Sequence, residues 1–111
     1  MVEYSLELDS IFGSLADPTR RDILKRVASE ALSISAIAKV YHMSLAAISK
    51  HLKILEKAKL IVKRRHGKQQ IVQLSPVALK DAAEHLRSYE RIWNDRLDSL
   101  ENYLSFFPKP L

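Results

Sequence analysis

Two short amphipathic segments with almost no chain between them constrain this sequence most. Residues 33–41 place Ile34, Ile37, Ala38 and Tyr41 at helical spacing, with Ser33 or Ser35 available as a cap. His42-Met43-Ser44 then forms a tight turn, and Ser44 caps a second helix running to about Lys57. That second helix has two different faces. Leu45, Ile48, Leu52 and Leu55 form an apolar stripe that predicts core. Ala46, Lys50, Lys53 and Lys57 form the opposite stripe, first small and then basic.

The elements around this pair are readable from local chemistry. Leu8, Ile11, Phe12 and Leu15 predict a first helix over about residues 5–15. Asp17-Pro18-Thr19 is a helix start, because Asp17 can accept from free backbone N–H groups and Pro18 fits a position needing no donor. Ile23, Leu24, Val27 and Ala28 are the expected buried residues of that second helix. Residues Leu60–Arg65 and Gln70–Leu74 predict two strands joined by His66-Gly67-Lys68-Gln69, with the whole hairpin spanning about residues 60–74. Ser75-Pro76 opens a last long helix to about residue 105, with a kink possible early in it. Its stripe is Leu86, Tyr89, Trp93, Leu97, Leu100 and Leu104, and Pro108 and Pro110 end it. The expected fold is mainly α with a β-hairpin wing: a winged helix-turn-helix of about five helices in one domain over residues 1–111.

Charge says what the basic stripe can meet. The net charge is +5, but residues 39–68 hold nine Lys and Arg against Glu56 alone, while both flanks are slightly acidic. A solvated helix face usually mixes signs. A one-signed block suits a polyanion, since each phosphate neutralised releases condensed counterions. In a helix-turn-helix the first helix braces the second across the major groove, and the N-terminal side chains of the second meet base edges. Ser44 can donate to a phosphate, Ala46 can touch a thymine methyl, Ser49 can donate or accept, and Lys50 can reach guanine acceptors. Lys53 and Lys57 lie further along and suit phosphates. Arg64, Arg65, His66, Lys68 and Gln69 make the hairpin a basic wing for the backbone or the minor groove.

Other classes lack their residues. Zero cysteines remove disulfides, thiolate catalysis and thiolate metal sites. Glycine occurs only at Gly13 and Gly67, so no phosphate-cradling glycine loop is present. No nucleophile sits in a recognisable setting and the four histidines are scattered, so no enzyme and no cofactor are expected. The opening residues show no secretory signal and no apolar run reaches membrane length, which predicts a soluble cytoplasmic protein without a membrane partner.

Four stretches in order resemble the ArsR/SmtB family of winged-helix repressors. They are Ile11-Phe12-Gly13-Ser14-Leu15-Ala16-Asp17-Pro18-Thr19-Arg20-Arg21-Asp22-Ile23-Leu24, then Met43-Ser44-Leu45-Ala46-Ala47-Ile48-Ser49-Lys50-His51-Leu52-Lys53-Ile54-Leu55-Glu56, then the wing Lys63-Arg64-Arg65-His66-Gly67-Lys68, and the strand into Leu74-Ser75-Pro76. The resemblance implies a homodimer with the first and last helices at the seam, bound to an inverted repeat of double-stranded DNA as a repressor. Leu8, Ile11, Phe12, Tyr89, Trp93, Leu97, Leu100 and Leu104 are the expected seam residues. Ser44, Ala46, Ser49, Lys50 and the wing are the expected DNA-facing ones. His51 resembles a family histidine that faces a phosphate or a neighbouring helix.

Three departures accompany the resemblance. The third helix lacks the paired cysteines of soft-metal sensors. Asp81 and His85 share a face of the last helix, but no second histidine follows. The chain therefore resembles the metal-independent branch, with no metal site expected. His42 and Lys59 stand where the family usually has glycine, at sites that often need a left-handed backbone. The alternative readings are a protein–protein module on the same fold with little DNA binding, and a repressor responsive to a metal or other effector.

Overall fold

The computed structural model describes residues 6–105, and their order is helix, helix, short strand, helix, helix, hairpin, helix. Helix α1 is Leu6–Ser14, α2 Pro18–Ser29, α3 Ile34–Tyr41, α4 Leu45–Lys57 and α5 Pro76–Leu104; strands β1, β2 and β3 are Leu32–Ser33, Ile61–His66 and Gln69–Leu74. Ser5 and the closing Pro108 and Pro110 lie outside the described residues. Those up to Lys80 form one compact unit and those from Asp81 a second.

Caps decide where the helices begin. Asp17 accepts from the Arg20 backbone N–H at 3.0 Å, with Pro18 in the first turn. Ser33, rather than Ser35, caps α3 by accepting from Ala36 N at 3.1 Å, and Ser44 caps α4 through Ala47 N at 3.1 Å. Each supplies an acceptor for an N–H that the helix itself leaves unpaired.

Helix ends show why glycine is missed. His42 and Lys59 have φ of 51° and 62°, the left-handed conformation expected of them. His42 donates to Lys39 O and Met43 to Ala38 O; Lys59 donates to Glu56 O and Leu60 to Leu55 O. Both helices thus end in a Schellman pattern, which satisfies two of the last carbonyls. Leu55 and Leu60 are wholly buried beside the second of these ends. A non-glycine residue in this conformation costs about 1–2 kcal/mol. Lys59→Gly is expected to raise unfolding free energy by about 0.5–1 kcal/mol in urea titration, glycine's own entropy cost taking back part of the gain. An unchanged or lower midpoint would show that the Lys59 cation at the helix end outweighs the strain.

The core of the first unit joins all its longer elements. Ile11 of α1, Ile23, Leu24 and Val27 of α2, Ile37 and Ala38 of α3, and Ile48, Leu52 and Leu55 of α4 are buried with Leu60, Ile61 and Val72. Three expectations change. Ala28 is exposed, because the buried arc of α2 stops at Val27. Leu45 is 55% exposed, because it is the first residue of α4 and lies beyond the core that takes Ile48. Ile11 is 3% exposed within one chain, so it packs in the chain's own core instead of waiting at a dimer seam.

The sheet has one more strand than expected. β3 is central in the order β1-β3-β2, and both pairings are antiparallel. Leu32 and Ser33 pair with Val72 and Ile71, which ties the start of α3 to the hairpin. The hairpin loop is shorter than expected: His66 and Gln69 are paired, leaving Gly67 and Lys68 as the loop. Gly67 takes φ 64° at the first loop position, the usual glycine position of a type II′ turn. The last helix is one element of 29 residues, with no break in its assignment at the early kink that the sequence allowed.

Candidate nucleic-acid interface

Arginines in the N-terminal part are committed to structure. Arg20 donates from Nε to Ser14 O at 2.7 Å and from Nη2 to Gly13 O at 3.2 Å, while Arg21 Nη1 donates to Leu15 O at 2.8 Å. These guanidiniums cap the end of α1. Arg26 lies 3.1 Å from Asp22 and 3.0 Å from the Tyr41 hydroxyl, which itself donates to Asp22. The triad links α2 to α3, the bracing helix. The Tyr41 hydroxyl and then Arg26 hold the Asp22 carboxyl below its ordinary range. Burial, then the bond to Asp22, pushes the Tyr41 phenol up.

Helix α4 presents a different surface. Ser44, Ala46, Ser49, Lys50, Lys53 and Lys57 are all exposed. Ser44 Oγ accepts the cap bond, which leaves its hydroxyl proton for a phosphate oxygen at the positive end of the helix. In the hairpin every residue from Arg64 to Gln70 is exposed, so both faces of its outer half meet solvent. That is a wing, and it carries Arg64, Arg65, His66, Lys68 and Gln69 as expected. Among the described residues the ion pairs are Arg26–Asp22 and Lys63–Glu56, and the His51 ring approaches Asp17. Within them Lys50, Lys53, Lys57, Arg64, Arg65 and Lys68 keep unpaired cations.

The sequence carries no sign of the Lys63–Glu56 link and leaves His51 open between a phosphate and a neighbouring helix. Lys63 Nζ is 3.6 Å from Glu56 Oε1, which joins the root of the wing to α4. The only carboxylate of the basic block is thereby partnered, so little negative charge remains to oppose a polyanion. His51 turns to the neighbouring helix, its Nδ1 buried and 3.8 Å from Asp17 Oδ2. The Arg20 backbone N–H is the largest influence holding the Asp17 carboxyl down, and His51 adds to it. His51 Nδ1 makes no hydrogen bond among the described residues, so the ring packs α4 against the start of α2 without bonding to it.

In the second unit, Leu86, Tyr89, Trp93, Leu97, Leu100 and Leu104 are half to two-thirds exposed. In the first unit Leu8 is half-buried and Phe12 stands at the edge of exposure. His85 Nε2 is 2.9 Å from the Tyr89 hydroxyl, so its near partner is a phenol one turn on. Among the described residues no group of three or more His, Cys, Asp or Glu side chains could hold a metal ion, and no helix is long and apolar enough to cross a membrane.

Known proteins share this arrangement. A helix-turn-helix domain model matches residues 15–64. The HTH-type transcriptional regulator Rv2034 of Mycobacterium tuberculosis is 35% identical over 80% of this chain and 80% of its own. An ArsR-like transcriptional regulator from Rhodococcus superposes with a TM-score of 0.74 at 29% identity, covering 87% of this chain and 92% of that one. This chain belongs to the ArsR family of winged helix-turn-helix transcriptional regulators. The transcriptional repressor SdpR of Bacillus subtilis is a further relative, 29% identical over 74% of this chain and 91% of its own. Membership makes the chain a DNA-binding regulator of transcription, with α3 and α4 as the helix-turn-helix and β2–β3 as the wing. In this ArsR-family regulator His42 and Lys59 close α3 and α4 in the left-handed conformation, and an exposed Leu45 opens the recognition helix.

Proposed function

We propose that the chain acts in the cytoplasm as a homodimeric repressor of an inverted-repeat operator. It works by occupancy and has no catalytic step. The observation that carries this reading is the exposed basic face made by α4 and the wing, whose cations, apart from Lys63 at the wing root, have no carboxylate partners among the described residues. Ser44, Ala46, Ser49 and Lys50 read or approach bases. Lys53, Lys57, Arg64, Arg65, His66, Lys68 and Gln69 hold the backbone or reach the adjacent minor groove. The similarity to a named repressor supports repression. The apolar stripe of α5 supports dimerisation, with Leu8 and Phe12 adding to the seam.

Two-fold symmetry gives the operator its form. Two reading helices entering successive major grooves require half-site centres about 10 bp apart. Selection of bound sequences from random duplex by the purified protein, with and without divalent metal ions, tests the reading. The expected product is an inverted repeat of that spacing, the same under both conditions. Absence of any enriched sequence, with no submicromolar duplex binding at low salt, would overturn it in favour of a protein-binding role for the fold.

A further inference from the structure

Leu45 sits where an exposed leucine is least expected. It opens α4 and leaves 55% of its surface in solvent, while Ile48, Leu52 and Leu55 on the same stripe are wholly buried. Side chains on a helix tilt toward its N-terminus, so Leu45 extends past the core at the leading end of the reading helix. Exposed Ala46 follows it, and Ser44 precedes it. Leu45 also lines an open groove with Ser35, Ala38, Lys39, His42 and Met43. The apolar members of that wall are Ala38, Met43 and Leu45. Lys39 beside them and Lys50 further along α4 are exposed cations.

Apolar surface beside an exposed lysine, on the helix that carries Lys50, poorly suits an apolar protein partner. It matches a polyanion that presents an apolar spot. In the major groove that spot is the C5-methyl group of thymine; the other base-edge features there are hydrogen-bond donors and acceptors. Resting on the reading of α4 as the DNA helix, we infer that Leu45, with Ala46 beside it, reads a thymine methyl, so that each half-site carries a thymine beneath the start of α4.

Uracil isolates that methyl, because it keeps every hydrogen-bonding group of thymine. Each thymine of the selected operator is replaced in turn by uracil, and affinity is measured for the parent and for Leu45→Ala. The parent is expected to lose about fourfold per half-site at one position, the factor that one buried methyl supplies. Leu45→Ala should bind the thymine operator more weakly and lose less than about twofold on going to uracil. A parent insensitive to uracil at every position would overturn the inference. So would a Leu45→Ala protein that keeps the full uracil penalty. The parent arm does not depend on the variant folding. Failure to select any operator would instead count against DNA reading by α4 itself.

Discussion

The double variant Trp93→Ala/Leu97→Ala is expected to sediment as a monomer at micromolar concentration and to lose at least about a hundredfold in operator affinity. The six large apolar side chains of the α5 stripe from Leu86 to Leu104 stand half or more exposed, spread along about 27 Å of helix. Together they leave on the order of 500 Å² of apolar surface, at the upper end of what a monomer tolerates. In the proposed dimer a second copy covers it by symmetry, the same stripe facing itself across a two-fold axis. Trp93 and Leu97 are then buried twice each. At about 2 kcal/mol per side chain, losing four weakens the dimer by about five to six powers of ten. DNA affinity follows because the second half-site of a dimer binds from a high effective concentration, whereas a monomer gains only one half-site. Sedimentation and fluorescence anisotropy on the same samples check both parts. A monomeric parent would remove the dimer from the proposal. A monomeric variant with parental affinity would show that one chain suffices for operator binding.

How much of this was legible depends on whether the deciding interaction is local. Asp17, Ser33 and Ser44 cap their helices through a backbone N–H three residues away, so the local sequence placed the starts at Asp17 and Ser44 and narrowed the third to Ser33 or Ser35. The left-handed His42 and Lys59 were legible through the resemblance, which puts glycine at both places, and not from local chemistry. β1 was not. It is two residues long, shows no period, and exists by pairing with residues about 40 positions later. Periodicity named the inner face of α4 but not where the core ends along it, so Leu45 was read as buried. Ile11 shows the complementary limit: an apolar stripe does not say whether its cover comes from the same chain or from a second. The Lys63–Glu56 link joins a strand to a helix, and no spacing rule predicts it. Loop residues His66 and Gln69 became ladder residues because Gly67 allows a two-residue turn.

Lys50→Ala and Lys53→Ala are expected to fail in different ways, although the two lysines share one exposed stripe. Lys50 lies in the second turn of α4, and Lys53 is about 4.5 Å further from the leading end. Helix side chains tilt toward the N-terminus, so in the proposed docking Lys50 reaches toward the groove floor while Lys53 faces its edge. Removing a base contact costs the correct sequence about 1–3 kcal/mol, roughly tenfold to a hundredfold, and costs random duplex much less. Removing a phosphate contact costs both alike. Lys53→Ala should therefore leave the ratio of operator to random binding unchanged and lower the salt slope by about one unit. From 50 to 200 mM salt the parent then loses about 3.5-fold more affinity than the variant, a difference that titration resolves. Lys50→Ala should instead lower the ratio itself. Neither lysine has an ion pair among the described residues, so neither loss is confounded by a partner left unpaired there. If both variants lose affinity equally on operator and random duplex, then α4 uses these lysines only to grip the backbone. Sequence would then be read by the apolar opening of the helix, at Leu45 and Ala46, and by the wing.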